Sequence, residues 1–181
     1  MISSIVALDT AVLSALYAIR DPFLVQAFIW ISELARVPTV VGFTAIAVIL
    51  LAYRKRWALA SGLMTSALGG GAAALFLKEV IARARPEKEF AAYMETSYSF
   101  PSGHATLVVA LYGFLVWMLW DMIPAQWRKA AIAALGCLIF LIGFSRLYLG
   151  VHYLSDVLGG YLVGGFSLWI GTKFVRKLRR S

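Results

Sequence analysis

The sequence predicts an all-α, polytopic membrane helix bundle, with five clear spans and an N-terminal helix that is either interfacial or a sixth crossing. Three observations predict it. Hydrophobic residues fill 61% of the 181 positions. Charged residues fill only 14%, well below the ~25% usual in soluble proteins. The cations also gather at the ends of apolar runs, in Arg54-Lys55-Arg56, Arg128-Lys129 and Lys173 to Arg180. That is the pattern of cytoplasmic loops in a multi-pass protein. A soluble domain of this length could not hide so much apolar surface. The net charge of +8 is largely placed by those clusters, which leave no basic face outside the membrane frame and argue against a nucleic-acid partner. Cys137 is the single cysteine, so no intrachain disulfide can form. No cleavable signal is expected, because the N-terminus lacks a basic n-region. No linker-like stretch divides the chain, so residues 1–181 read as one domain, with N-terminal amphipathic helices over 1–35 and a transmembrane bundle over 37–181.

Each element follows from local pattern. In residues 2–20, Ile5, Leu8, Val12, Leu16 and Ile19 fall on one helical face, with Ser3, Thr10 and Ser14 opposite. This predicts an amphipathic helix lying at the interface. Pro22 opens a second helical piece to about Ala35, short for a crossing, and Pro38 starts the first span, to Tyr53. A second span runs from about Trp57 to Ile81, rich in glycine and alanine that let helices approach closely in lipid. A polar connection from Arg83 to Phe100 follows, with Pro86 expected to stop the helix. The third span covers about His104 to Trp120, the fourth Ala130 to Phe144 and the fifth Asp156 to Phe174. Gly160 and Gly164 give the fifth a GxxxG packing face. Trp57, Trp117, Trp120, Trp127 and Trp169 fall near span ends, as an aromatic belt requires.

The basic clusters follow spans one, three and five, so the segments after spans two and four share the opposite side. Those segments hold both histidines, His104 and His152, together with Lys78, Arg83, Arg85 and Arg146. In KEVIARARP, Lys78 and Arg85 are two helical turns apart, which predicts one shared helix face. In PSGH, Ser102 is an N-cap for span three, and Gly103 leaves the first turn open to close approach. In SRLYLGVHYLSD, His152 and Asp156 are four apart; on a helix the carboxylate would hold one imidazole nitrogen and free the other. Three cations converging at one place repel one another unless an anion joins them. A phosphate dianion suits that demand, with His152 as nucleophile backed by Asp156 and His104 as acid.

These three stretches, in this order and spacing, resemble the three-part signature of the type 2 phosphatidic acid phosphatase family. The resemblance covers about Lys78 to Gly160. It implies that His152 attacks phosphorus and forms a phosphohistidine, that Asp156 orients and activates it, and that His104 protonates the departing oxygen and then helps water release phosphate. It implies phosphate contacts from Lys78, Arg85, Ser102, Gly103 and Arg146, and no metal or other cofactor. The implied substrate is a lipid phosphate or pyrophosphate drawn from the bilayer, such as phosphatidate, phosphatidylglycerol phosphate, undecaprenyl pyrophosphate or a lipid A phosphate. The implied location is a bacterial inner membrane, with the site on the periplasmic side. A strong first span, present in six-span bacterial members, is missing here.

Other residues read more plainly. Arg83 has no family counterpart and reads as a headgroup contact or solvated cation. Glu79, Glu87, Glu89 and Glu95 read as solvated charges or partners of nearby cations, and Ser145 as structural support. Residues Glu87 to Phe100, with Tyr93, Met94 and Tyr98, are expected to meet the headgroup or acyl chain. A phosphotransferase of the same family stays open at this point, as do two rivals of another class, a haem carrier using paired histidines and a non-enzymatic lipid-binding scaffold.

Overall fold

The computed structural model describes residues 2–180, and every regular element in it is helical. Helix α1 covers Ile2–Ala18, α2 Pro22–Glu33, α3 Val37–Tyr53 and α4 Trp57–Ile81. Helix α5 (Gly103–Leu107), a π-helical turn (Val108–Tyr112) and α6 (Gly113–Leu119) follow one another along the run Gly103–Met122. Helix α7 is Ala125–Tyr148 and α8 Leu154–Leu178. Five of these stretches are long and apolar enough to cross a membrane, with Pro22–Tyr53 counting as one. The second helical piece of the sequence therefore belongs to the first crossing. Asp21 caps α2 by accepting from the backbone N–H groups of Phe23 and Leu24. The break between α2 and α3 falls at residues 34–36, where Arg36 is extended (φ −68°, ψ 145°), and Pro38 sits in the first turn of α3, where its missing N–H would be unpaired in any case.

Small residues set the helix crossings. A Cβ on Gly171 of α8 would sit 2.6 Å from the Gly62 carbonyl oxygen of α4, so these two helices touch backbone to backbone. On the half of α8 nearer His152, a Cβ on Gly160 would meet the Ser102 carbonyl oxygen at 2.6 Å, and one on Gly164 the Thr106 oxygen at 2.5 Å. Lipid tails are as apolar as the side chains they replace, so close van der Waals approach drives such contacts in a bilayer. Around the bundle, Ile46, Ile49, Phe76, Phe140, Leu162 and Phe166 point outward as an apolar belt. The pairing of Gly62 with Val175 and of Gly143 with Val157 makes α4 and α7 antiparallel to α8. Arg54-Lys55-Arg56, Arg128-Lys129 and the end of α8 consequently share one end of the bundle, and PSGH and the His152 turn share the other.

Helix α1 departs from the expected face. Ile5, Leu8 and Ile19 of its apolar stripe are exposed, whereas Asp9 and Leu13 are buried against the protein. The helix lies across the histidine-bearing end: Asp9 meets Ser155 at the start of α8, Tyr17 packs on Phe90, and Arg20 donates to the Tyr148 carbonyl. It is too short to count among the spans. An interfacial helix is solvated by lipid on one side and packs on protein along another, so its apolar stripe need not be its protein-facing side.

Candidate active site

Two spacing arguments fail locally, yet their residues still meet. His152 lies ahead of α8, in a turn over Val151–Tyr153, so it shares no helix face with Asp156. The turn exists because Gly150 adopts φ +67°, where a Cβ would lie 1.8 Å from the Phe90 carbonyl oxygen. His152 Nδ1 stands 3.5 Å from Asp156 Oδ2, a long contact across the mouth of the helix. Likewise α4 stops at Ile81, with Ala82 left-handed at φ 48°, so Arg85 sits on irregular chain and shares no helix face with Lys78. The two cations converge by another route, both donating to the 97–99 strip: Lys78 to the Tyr98 carbonyl, and Arg85 Nε to the Ser97 carbonyl at 2.6 Å.

Asp156 is the hub. Being in the first turn of α8, it accepts from the Tyr153 backbone N–H at 2.8 Å, a position that also favours a negative charge. It accepts from Ser99 Oγ at 2.5 Å and from Arg83 Nη1 at 2.5 Å. Arg83 is thus no headgroup contact: buried acceptors on two elements, Asp156 and Asp9, hold its guanidinium. Periodicity could not reveal this, because Asp9 is 74 residues away in sequence. An aspartate amid the hydrophobic face-setting residues of α1 was the one available hint.

Opposite the carboxylate, Arg85 Nη1 lies 3.3 Å from His152 Nε2 and donates to the Val151 carbonyl at 2.7 Å. That nitrogen is then the acceptor of a neutral ring, and Nδ1 carries the proton toward Asp156. Burial foremost, and then the cations Arg146 and Arg85 against the opposing pull of Asp156, hold the His152 imidazole down to a pKa of about 3. Arg146, from the last turn of α7, is wholly buried. Its Nη1 donates to Tyr93 Oη at 2.5 Å and its Nη2 to Glu95 Oε1 at 2.8 Å, while its Nε has no partner among the described residues. Glu95 also stands 3.6 Å from Arg85. Of the acidic residues in that loop, Glu95 is therefore the partner of cations.

The second histidine reaches the same place from the opposite helix. Ser102 caps α5, accepting from the Ala105 N–H at 3.5 Å, and its own N–H donates to the Asp156 carbonyl oxygen at 2.9 Å, which ties PSGH to α8. His104 and Gly103 line a cavity of about 380 Å³ together with Lys78, Arg85, Glu95 and His152. A Cβ on Gly103 would meet nothing within 4 Å, so the backbone there is open to a ligand. The rest of the cavity is apolar, between the start of α3 and the outer half of α4, with exposed Val37, Val41, Leu68 and Leu75 at its edge. Ser145 is buried and donates to the Ile142 carbonyl at 2.6 Å, a structural role.

Of the sequence-predicted residues, Lys78, Arg85, Gly103, His104 and His152 line one end of the cavity. Ser102, Arg146 and Asp156 are buried next to them, Ser102 at the first turn of α5, Arg146 through Glu95 and Asp156 against His152. A model described as "PAP2 superfamily" matches residues 56–180. The chain is 33% identical over 181 residues to phosphatidylglycerophosphatase B of Bacillus subtilis, covering 95% of this chain and 85% of that one. It is 35% identical over 124 residues to a lipid A 1-phosphatase of Rhizobium etli, covering 63% and 50%. The crystal structure of a transmembrane PAP2-type phosphatidylglycerolphosphate phosphatase from Bacillus subtilis superposes with a TM-score of 0.87 at 30% identity, over 98% of this chain and 89% of that one. Aquifex aeolicus LpxE shares the fold, with a TM-score of 0.71 at 21% identity over 92% and 95% of the two chains. With its family match covering well over half its length and its bundle superposing almost end to end, the chain belongs to the PAP2 superfamily.

Proposed function

We propose that this protein is a membrane lipid phosphatase that hydrolyses a phosphomonoester or pyrophosphate on a lipid through a phosphohistidine. One observation carries the reading: His104, His152 and the cations Lys78 and Arg85 line the inner end of an apolar cavity with exposed residues at its edge, and the buried Arg146 is joined to them through Glu95. Phosphoryl transfer asks for positioning, charge neutralisation, an in-line nucleophile and a proton for the leaving oxygen. Glu95 pairs with both Arg85 and Arg146, but its single charge offsets only one of the three positive charges of Lys78, Arg85 and Arg146. A phosphate dianion matches the two charges left over.

In this reading the lipid lies in the cavity with its phosphate against Arg85, Arg146, Lys78 and the Ser102–Gly103 turn. His152 Nε2 forms the N–P bond as the bond from phosphorus to the lipid oxygen breaks, and His104 gives that oxygen its proton. His104 then takes a proton from water as the water oxygen attacks phosphorus, releasing phosphate and restoring His152. Asp156 stabilises the charge that His152 acquires. The like names of the Bacillus subtilis and Rhizobium relatives support a lipid phosphate as substrate. The gathering of basic clusters at the opposite end supports an orientation with the site on the periplasmic side of a bacterial inner membrane.

The test is a panel of lipid phosphates and pyrophosphates assayed for phosphate release by detergent-purified protein and its His152→Ala variant. Release by the wild type and its loss by at least ~1,000-fold in the variant is expected for a nucleophile. Turnover that survives the substitution would sink the mechanism. Transfer of the phosphoryl group to another lipid with no free phosphate would make the chain a phosphotransferase instead.

A further inference from the structure

We propose that Asp9 and Arg83 are positioning residues for the nucleophile, a carboxylate–guanidinium relay that aims Asp156 at His152 and sets the charge it presents there. The proposal rests on the reading of His152 as nucleophile. Neither residue belongs to the three motifs, and neither lines the cavity.

The relay is continuous. Arg83 Nη2 donates to Asp9 Oδ2 at 2.7 Å while its Nη1 donates to Asp156 Oδ1 at 2.5 Å. Asp9 is fixed in turn by Ser155, whose N–H donates to Oδ1 at 2.9 Å and whose hydroxyl donates to Oδ2 at 2.5 Å. The Arg83 guanidinium also stacks over the Tyr153 ring at 4.4 Å, which leaves it little freedom to turn. Because Arg83 occupies Oδ1, the oxygen that remains toward the His152 ring is Oδ2, already seated by Ser99 and the Tyr153 N–H.

Charge makes the pairing informative. A guanidinium alone against Asp156 would cancel the carboxylate that should stabilise the charged imidazole. Asp9 offsets it, so the three groups together keep one negative charge behind His152. Asp9 is 2% exposed in a helix whose neighbouring positions are mostly exposed, and a buried carboxylate is costly unless it is paired. The other charged or titratable groups around His152 are Arg85 on the irregular segment, Arg146 of α7, His104 of α5, Lys78 of α4 and Glu95 of the loop. None of these touches Asp9.

The experiment compares Asp9→Asn, Arg83→Gln, Arg83→Lys and the Asp9→Asn/Arg83→Gln double variant, in detergent, on a short-chain lipid phosphomonoester. Monodispersity and melting are checked first, and nearly isosteric Asp9→Asn carries the test alone if Arg83→Gln does not purify. Each uncharged single variant is expected to lower kcat by roughly 10- to 100-fold, as loss of an orienting group does. KM should stay within about threefold, since neither residue meets the substrate. The acid limb of the kcat–pH profile, where His152 must lose its proton, should move by about half a unit or more in opposite directions. Asp9→Asn removes a negative charge and moves it to lower pH; Arg83→Gln removes a positive charge and moves it up. The double variant restores the net charge and should return the limb toward the wild type. Arg83→Lys should leave the limb in place and recover part of kcat. Unmoved limbs in both single variants, or losses confined to KM, would reduce the pair to a structural clip and overturn the relay. If His152→Ala is inactive while Asp9→Asn and Arg83→Gln behave as wild type, the relay alone fails. If His152→Ala turns over, the reading beneath it fails.

Discussion

The Glu95 carboxylate bridges Arg146 and Arg85, two of the cations proposed to hold the phosphate. On the proposed binding mode substrate displaces it, so Glu95→Gln is expected to lower KM roughly threefold or more and to tighten inhibition by inorganic phosphate, because a neutral amide competes weakly for guanidinium donors. Michaelis and product-inhibition curves check this, and an unchanged KM would mean that Glu95 leaves the cations freely. A second residue-scale outcome concerns His152. Its folded pKa of about 3 lies below the ordinary 6.5. Between those values the unfolded chain binds a proton that the folded one does not, so this group's contribution is complete above about pH 6.5 and lost as pH falls toward 3. Melting curves in detergent from pH 7 to 4 should therefore drop more steeply for the wild type than for His152→Gln. Equal slopes would contradict a buried neutral imidazole. At this scale motif spacing in the sequence names eight candidate residues, and the fold brings them together. Spacing could not reveal Asp9, whose partner Arg83 is joined to it only by tertiary packing.

Helix termini, and the glycines between them, carry the site at the next scale. A methyl on Gly160 would press into the Ser102 carbonyl oxygen at 2.6 Å and the Ala105 Cβ at 2.8 Å. Gly160→Ala should therefore cost about 1–3 kcal/mol of overpacking and shift PSGH away from Asp156. Gly165→Ala, with nothing within 4 Å of its new Cβ, should be neutral or slightly stabilising, since alanine suits a helix better. Thermal melts and kcat of the two variants separate these outcomes, and equal behaviour would count against close packing of α8 on α5. The spans themselves were legible because an apolar run bounded by cations or proline has few other solutions in lipid. Two element-level features were not. The π-helical turn at Val108–Tyr112 carries no proline or glycine to announce it; Ser66 Oγ, from α4, donates to the Ala110 carbonyl there at 2.7 Å. The i,i+4 reading of His152 and Asp156 failed because a positive-φ glycine delays α8 until Leu154. The contact survived because the turn returns the ring to the helix mouth.

Across the whole molecule, the bundle joins a largely buried charge cluster to an apolar cavity with exposed residues at its edge. Ala72 is exposed on α4 at the cavity edge. Ala72→Trp should raise KM for long-chain lipid phosphates several-fold while sparing a short-chain analogue, because a buried indole takes up the room an acyl chain needs. Chain-length series measured on both proteins check this, and a uniform change would place the chains elsewhere. The α2–α3 break lies beside the same cavity, with Ala35 and Val37 in its wall. The contact between Asp9 and Ser155, 146 residues apart, has a further consequence during biosynthesis. Loop closure over such a separation comes late, after nearer contacts have formed. Helix α1 must wait for the start of α8 before the Asp9 carboxylate finds Ser155. A nascent chain could therefore insert the stretches ahead of α8, gather most of its cations and still present His152, the proposed nucleophile, without its carboxylate. Competence would arrive with the final helix, so a half-built bundle would do no phosphoryl chemistry on the lipids that surround it.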